Sequence, residues 1–268
     1  MTEAREPFFR REGDWLVPTS QAKGPWKAGT LHGRVIIGVL AAEIERLHGD
    51  PDFLPARLTV DMHRAPAMAP LQVVTRVVRD GARIRVVDAE LISEGKNCGR
   101  ATCQFLRRSA NPETERWHGP VWNAALPKVL PPCGAGPETM HGLWEMRWAE
   151  GRMAEAGQRR AWMRELRETI GGEPLSPFMR VAAGVDYVSP MANYGPGPGF
   201  GFINSDVTMY LHRLPVGEWI GYETLAHEAT DGVGIGHCNL YDRDGRIGWA
   251  STCALAQSIR ANGNPRAG

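Results

Sequence analysis

The clearest helical spacing lies in "LHGRVIIGVLAAEIERLHGD". There Val35, Ile36, Val39, Leu40, Ile44 and Leu47 recur at intervals of three and four. Ala41 and Ala42 keep this helix slim, and Gly49, just ahead of Asp50-Pro51, is a natural residue to end it. Only the last turns look exposed, so the helix is expected to be mostly buried. After it the period changes from helical to alternating. "ARLTVDMHR", "LQVVTRVVRDG", "ARIRVVDAELISEG" and "KNCGRATCQFLRRS" predict four strands, with Asp80-Gly81 and Glu94-Gly95 placed where hairpin turns belong.

The same order then returns. "LSPFMRVAAGVDYVSPM" predicts a second helix that ends before Pro190. It is followed by "FINSDVTMYLHR", "GEWIGYETLAHEATDG", "VGIGHCNLYDRDG" and "RIGWASTCALAQSIR", which predict four more strands. "GLWEMRWAEGR" and "RRAWMRELRE" read as extra strands opening this half, although residues 159–168 fit a helix equally well. Three coincidences in the same order point to two copies of one unit. "LTVDMHRAPAMAP" aligns with "VTMYLHRLPVGEW", the His-to-Asp spacings from His63 and His212 agree closely, and "GRATCQ" resembles "GWASTC". The expected division is residues 1–108, a linker at 109–137 and residues 138–268. The linker is rich in Pro, Gly and Trp, and Trp117 and Trp122 are expected to pin it to the surface.

Composition narrows the function classes. At 268 residues the chain has ample length for a large core, and 43% hydrophobic against 23% charged residues is ordinary for a globular protein. A formal net charge of +1 gives no bulk attraction to nucleic acid or anionic membrane. No apolar run approaches the roughly 20 residues that span a bilayer, and the polar start "MTEAREPFFRREGDW" lacks a signal-peptide core. A cytoplasmic location follows as an expectation. The five cysteines have no metal-ligand or redox spacing and are expected to be reduced, buried packing groups. "HEATD" lacks the second His of a zinc motif, no G-x-S-x-G elbow occurs, and "NYGPGPGFGF" leads into a strand and is no dinucleotide fingerprint. That stretch reads as a mobile loop over a pocket or as a rigid connection. No metal and no cofactor is implied.

Residues 203–211 should be extended, which would place Asn204, Asp206, Thr208 and Tyr210 in one row. Phe200, Phe202, Trp219 and Trp249 nearby suggest a buried setting for that row. Asn204 can donate and accept, so it can orient a water or a carbonyl. Asp186, in "AAGVDYV", is placed in an apolar setting near a helix C-terminus. Burial and the helix dipole there both disfavour its charge and raise its pKa toward that of a useful base. His32 and Gly33 open the first helix, whose N-terminus could meet an anion. Gly232, Gly234 and Gly236 alternate, which lets a helix or a substrate approach closely.

The order and spacing of "FRREGDW", "GTLHGRVIIGVLAAE", "DMHRAP", "VDYVSPM", "INSDVTMYLHR", "PVGEWIGYE" and "LYDRDGRIGWAST" resemble the acyl-CoA thioesterase II family over nearly the whole chain. The resemblance implies an α+β double hotdog: two long helices, each wrapped by a curved antiparallel sheet. It implies hydrolysis of an acyl-CoA or acyl-carrier-protein thioester by Asp-activated water. The family's Asp falls on Asp186, its Thr/Asn on Asn204 and its second strand Asp on Asp206. Its Gln falls on Thr252, Cys253 or Ala254, none of which is Gln, with Thr252 taken as the catalytic candidate; Gln257 is nearby but needs a one-residue slip to face the same way. Asp206, Thr208, His32 and Gly33 are the expected substrate-binding residues. Pairing into a homodimer through open sheet edges is expected. Two other readings stay open: a hotdog enzyme that processes a biosynthetic intermediate without hydrolysis, and a non-catalytic acyl-binding protein.

Overall fold

A computed structural model of the chain describes residues 5–25, 27–123, 125–133, 143–153, 155–194 and 201–257. In the first half the strands are β1 (Phe9–Glu12), β2 (Trp15–Pro18), β3 (Phe53–Met62), β4 (Leu71–Asp80), β5 (Ile84–Ser93) and β6 (Lys96–Arg107), with helix α1 (Gly33–His48). In the second half they are β7 (Trp144–Glu150), β8 (Arg160–Glu165), β9 (Phe202–Asn204), β10 (Asp206–Leu211), β11 (Trp219–Thr230), β12 (Val233–Asp242) and β13 (Gly245–Ala256). The short helices α2 (Pro177–Ala182) and α3 (Val188–Asn193) belong to this half. Residues 159–168, which fitted helix or strand, contain the strand β8.

Every strand joins one antiparallel sheet in the order β1-β2-β4-β5-β6-β3-β10-β13-β12-β11-β8-β7, with β9 pairing to β13 beside β10. The order is the same read from either end once the copies are matched. At the centre β3 pairs with β10 so that Thr59 faces Thr208, and their hydroxyls are 3.1 Å apart. These threonines occupy the same position in the two copies. The sheet therefore has an approximate twofold axis between them.

Helix α1 forms as its pattern predicts. Residues 34–44 are buried, covered by the concave face of β3–β6. Its His32 side chain caps the start, accepting the Arg34 N–H at 3.0 Å. Gly49 ends it as expected, but without a left-handed turn. Its φ is −61°, and a Cβ there would collide with the Glu45 carbonyl. The two-residue turn at Glu94-Gly95 does use the left-handed region, with φ of 49° and 72°.

The expectation of two long helices is corrected. Residues 177–193 fold as α2, a single 3-10 turn (Val185–Tyr187) and α3, not as one rod. Gly184 sits at the first break, where a Cβ would lie 2.8 Å from the Tyr222 hydroxyl. Pro190 lacks the N–H that would continue the ladder back to residue 186. It lies in the first turn of α3, where that loss is harmless, so the helical path runs on past it to Asn193. One glycine of β12 serves this path, whereas Gly234 lies against Phe202 and His227. At Gly236 a Cβ would meet the Ala192 methyl at 2.6 Å, so the helix, not a substrate, makes the close approach.

Of the two tryptophans expected to pin the linker, one does so. Trp122 stacks on Trp162 and meets Tyr241 edge-on, each at 5.4 Å, whereas Trp117 is 88% exposed. Cys98, Cys103 and Cys238 are buried as expected, but Cys133 is half-buried and Cys253 exposed.

Matching glycines tighten the strand pairs beside the axis. Gly99 on β6 faces Met62, and a Cβ would sit 2.9 Å from the Asp61 carbonyl oxygen. Gly248 on β13 faces Leu211 and is tighter still against Tyr210. Gly248→Ala is expected to lower unfolding free energy by about 2–4 kcal/mol, more than Gly99→Ala, because backbone must move in a central strand pair. Urea unfolding of the three proteins measures this, and a loss below about 0.5 kcal/mol for Gly248→Ala would contradict it.

Candidate active site

Strand β9 and strand β10 are one chain segment interrupted at Ser205. Asn204 pairs with Ala254 and Thr208 with Ser251, so one extra residue is accommodated on this side of the pair. The Ser205 N–H still reaches the Cys253 carbonyl at 2.9 Å. Such a bulge reverses which face the next side chains take. Val207, Met209 and Leu211 consequently point into the core, while Tyr210 is 43% exposed. The expected row is thereby split, with Asn204 on the helix side and Asp206, Thr208 and Tyr210 on the other.

Asn204 meets Asp186, its Nδ2 donating to Asp186 Oδ1 at 2.8 Å. Asp186 lies in the 3-10 turn between α2 and α3 and not at a helix C-terminus as expected. The helix end nearest to it is the N-terminus of α1. A Cβ on Gly33 would lie 3.5 Å and 3.7 Å from the two carboxylate oxygens, so the bare glycine backbone lies against the carboxylate. The anion that faces this helix start is thus the protein's own Asp186.

Burial raises the Asp186 pKa. The Asn204 hydrogen bond, the charge of Arg34 and the Arg34 backbone N–H oppose that rise. His32 is close, with Nδ1 3.7 Å from Asp186 Oδ2, yet it is no cation. Burial, aided by the Arg34 charge, pushes its pKa down to about 3. Its Nδ1 already accepts the capping N–H, so the neutral ring carries its proton on Nε2.

These groups share a cavity of about 560 Å³, walled mainly by apolar side chains such as Leu31, Met62, Trp144, Met163, Tyr187 and Phe202. His32, Gly33, Asp186 and Asn204 all line it, so the structure brings four of the singled-out residues together. The other three are elsewhere. Thr252 donates its hydroxyl to the Asp206 carbonyl at 2.8 Å, Asp206 Oδ1 accepts the Cys253 N–H at 2.6 Å, and Thr208 bonds Thr59. Each of them secures the bulge or the central seam. Of the three positions considered for the family Gln, Ala254 is the one opposite Asn204, and it is buried hydrocarbon. Trp249 is exposed rather than part of a buried wall. Phe200 and residues 195–199 of the glycine-rich stretch lie outside the described residues.

Four polar residues of the cavity, Arg34, Arg64, Ser189 and Ser205, were not singled out from the sequence. Arg34 is buried, pairs with Glu165 on β8, and places its guanidinium 4.4 Å from the Trp144 ring centroid. Burial lowers its pKa to about 10, which keeps it charged at neutral pH. Its signal was a cation within an otherwise apolar helical run. Ser189 accepts from Asn193 Nδ2 at 3.3 Å, and Asn193 is in turn 2.8 Å from His227 Nδ1. Ser189 lay inside a segment read as plain helix. Among the described residues no cluster of His, Cys, Asp and Glu could hold a metal ion. Burial raises the thiol pKa of Cys103 and of Cys238, the latter to about 12, so neither is an activated nucleophile.

Residues 22–106 match the family model for the acyl-CoA thioesterase N-terminal domain, and residues 107–251 match that for the acyl-CoA thioesterase C-terminal domain. The chain belongs to the acyl-CoA thioesterase family, and it is a thioester hydrolase. Solved structures agree on the fold. A putative thioesterase from Novosphingobium aromaticivorans superposes with a TM-score of 0.70 at 16% identity, covering 95% of this chain and 100% of its own. The tesB protein of Mycobacterium avium subs paratuberculosis gives 0.66 at 13%, covering 93% and 96%. A protein of unknown function with a hot dog fold from Alicyclobacillus acidocaldarius gives 0.69 at 16%, covering 94% and 96%. No curated protein matches the chain.

The buried charge at Asp186 has a consequence for this thioesterase fold. Its pKa is raised on folding, so the unfolded chain ionises first as pH rises. Stability is then lost between the unfolded and the folded pKa, and the loss persists at pH 7. Asp186→Asn removes that loss and can still accept from Asn204 Nδ2. The variant is expected to melt roughly 2–4 °C above wild type at pH 7, with the gain shrinking toward pH 3–4, near the unfolded aspartate pKa. Thermal melts across that range check it; a lower melting temperature at pH 7 would show the carboxylate to be stabilising.

Proposed function

We propose that the chain hydrolyses acyl-CoA or acyl-carrier-protein thioesters with a water activated by Asp186. The observation that carries this reading is the 2.8 Å Asn204–Asp186 hydrogen bond in an apolar cavity against the start of α1. The bond leaves Asn204 Oδ1 without a protein partner among the described residues, so a water can donate one proton to it and the other to Asp186. Asp186 removes a proton as the water oxygen attacks the thioester carbon. The resulting oxyanion takes the backbone N–H of Gly33, at the positive end of α1. The tetrahedral adduct expels the thiolate, and protonated Asp186 returns the proton to sulfur. A carboxylic acid and a thiol leave.

His32 stays neutral and acts as cap and wall, with no part in the proton transfers. The architecture of such an enzyme is a double hotdog, with units at residues 1–108 and 138–268 joined through the β3–β10 seam. Strands β1 and β7 end the sheet, β1 in part covered by residues 168–171 and β7 by the Cys133 N–H, and what they leave free would serve pairing of two chains into a homodimer. Five unpaired cysteines support a reducing, cytoplasmic setting. No helix of the described residues is long and apolar enough to cross a membrane.

The apolar Ala254 opposite Asn204 favours one other reading, a hotdog enzyme that processes a bound thioester without hydrolysis. Steady-state hydrolysis of octanoyl-CoA separates the two. With wild type active, Asp186→Asn is expected to lower kcat by about 10²–10⁴-fold with a small change in KM. Asn204→Ala is expected to lose less, on the order of tenfold, since it positions water and takes no proton. The rate should fall on the acid side as Asp186 protonates, above the ordinary aspartate range, because burial raises its pKa. Asn204→Ala removes a bond that favours the carboxylate, so that acid limb should move to higher pH. An Asp186→Asn enzyme as fast as wild type rejects the mechanism. A wild type inert on all chain lengths would favour the non-hydrolytic reading.

A further inference from the structure

The twofold relation between the copies turns one arginine into an informative exception. Arg64 and Arg213 both end the shared His-Arg step, five residues beyond Thr59 and Thr208. Arg213 is locked in place. Its Nη2 donates to Asp242 Oδ1 at 2.7 Å and to the Gly245 carbonyl at 3.2 Å, while Nη1 also reaches Asp242. Asp242 is buried and further fixed by the N–H groups of Val216 and Asp244.

In the first copy the position of Asp242 is taken by Ser93. The hairpin register makes the match, since Ser93 pairs with Lys96 as Asp242 pairs with Gly245. Ser93 is buried at 3% exposure, and its hydroxyl makes no hydrogen bond among the described residues. A hydroxyl on so short a side chain does not replace a carboxylate that holds two guanidinium nitrogens. Arg64 accordingly makes no ion pair among the described residues. It is exposed and lines the cavity that holds Asp186. The other cation of that cavity, Arg34, is taken by Glu165.

We propose that Arg64 reads a phosphate of the thioester's carrier, and that the exchange of an Asp-type partner for Ser93 released it to do so. The proposal rests on the hydrolytic reading above for its substrate but adds a recognition element to it. A guanidinium offers a planar pair of donors that fits a phosphate oxygen pair. Its place at the solvent-facing rim suits the polar end of a substrate whose acyl group occupies the apolar interior. Coenzyme A and the phosphopantetheine arm of a carrier protein share one such phosphate, and coenzyme A carries more on its nucleotide.

The test compares three octanoyl thioesters, those of coenzyme A, phosphopantetheine and N-acetylcysteamine, the last without phosphate. For Arg64→Ala the ratio of kcat/KM on coenzyme A to that on N-acetylcysteamine should fall about tenfold, through KM rather than kcat. Ser93→Asp restores the partner present in the other copy and should lower the ratio in the same direction by drawing Arg64 away. A fall on both phosphate-bearing substrates assigns the contact to the pantetheine phosphate; a fall on coenzyme A alone assigns it to the nucleotide. Unchanged ratios in Arg64→Ala overturn the proposal, whatever the hydrolytic rate. If wild type hydrolyses none of the three, calorimetric binding of free coenzyme A by wild type and Arg64→Ala replaces kinetics. Equal affinity overturns the proposal, and about tenfold weaker binding in the variant supports it.

Discussion

The pairing of β3 with β10 is the constraint on which the other features depend. It joins two sheets that would otherwise each expose a long edge, and it does so with equivalent residues facing each other across an axis. The register fixes more than the seam. With Thr59 opposite Thr208, the end of β3 lies beside the bulge at Ser205, and the Met62 N–H donates to the Ser205 carbonyl at 2.8 Å. Met62 in turn packs against Gly33, so the start of α1 from one copy is set against Asp186 and Asn204 from the other. A register slip of one residue would turn the core side chains of β10 outward and separate the three parts of the cavity.

Duplication with a twofold axis would generate two such sites, and the chain keeps one. On the far side of the axis α2 begins at Ser176, whose hydroxyl donates to Glu45 on α1 at 2.6 Å. This corresponds to His32 facing Asp186. The bulge is repeated as well, between Pro55 and Arg57. There, however, Pro55 pairs with Phe105 where the second half pairs Asn204 with Ala254. A proline and a phenylalanine offer no side-chain polar group and fill the space that the other half leaves as cavity. The same divergence separates Arg64 from Arg213, with the structural ion pair kept where no cavity is served. The proposed chemistry therefore falls to one half alone.

Much of the architecture was legible in the sequence because it rests on local periodicity. The long helix, the eight strands following the helical segments and the hairpin turns were all readable from spacing and turn residues. The broken second helix was not, because Gly184 acts through what packs on it and Pro190 lies in the first turn of a new helix instead of ending one, and a helical wheel does not show that Tyr222 presses on residue 184. The bulge was hidden for the same reason. Alternation along residues 203–211 gives one continuous polar row, and only the partner strand shows the extra residue that divides it. Asn204 therefore stayed with Asp186 while Asp206, Thr208 and Thr252 were drawn to the seam. Arg34 and Ser189 were visible as letters but not as neighbours.

The state of Asp186 is a balance of opposing effects that no single one would make useful. Burial alone would leave the carboxyl protonated and idle, and full hydrogen bonding would leave a carboxylate too weak to take a proton. Here burial dominates and raises the pKa, while Asn204, the Arg34 charge and the Arg34 N–H restrain the rise. His32 preserves this balance by staying neutral. A protonated imidazole 3.7 Å away would be a second cation beside the carboxylate and would lower its basicity. Burial suppresses that protonation, and the Arg34 charge, itself stabilised by Glu165 and Trp144, adds to this while attracting the carboxylate. Burial, with the buried cation of α1 added to it, thus keeps His32 uncharged, and the same cation restrains the rise in pKa of Asp186, which the other copy contributes.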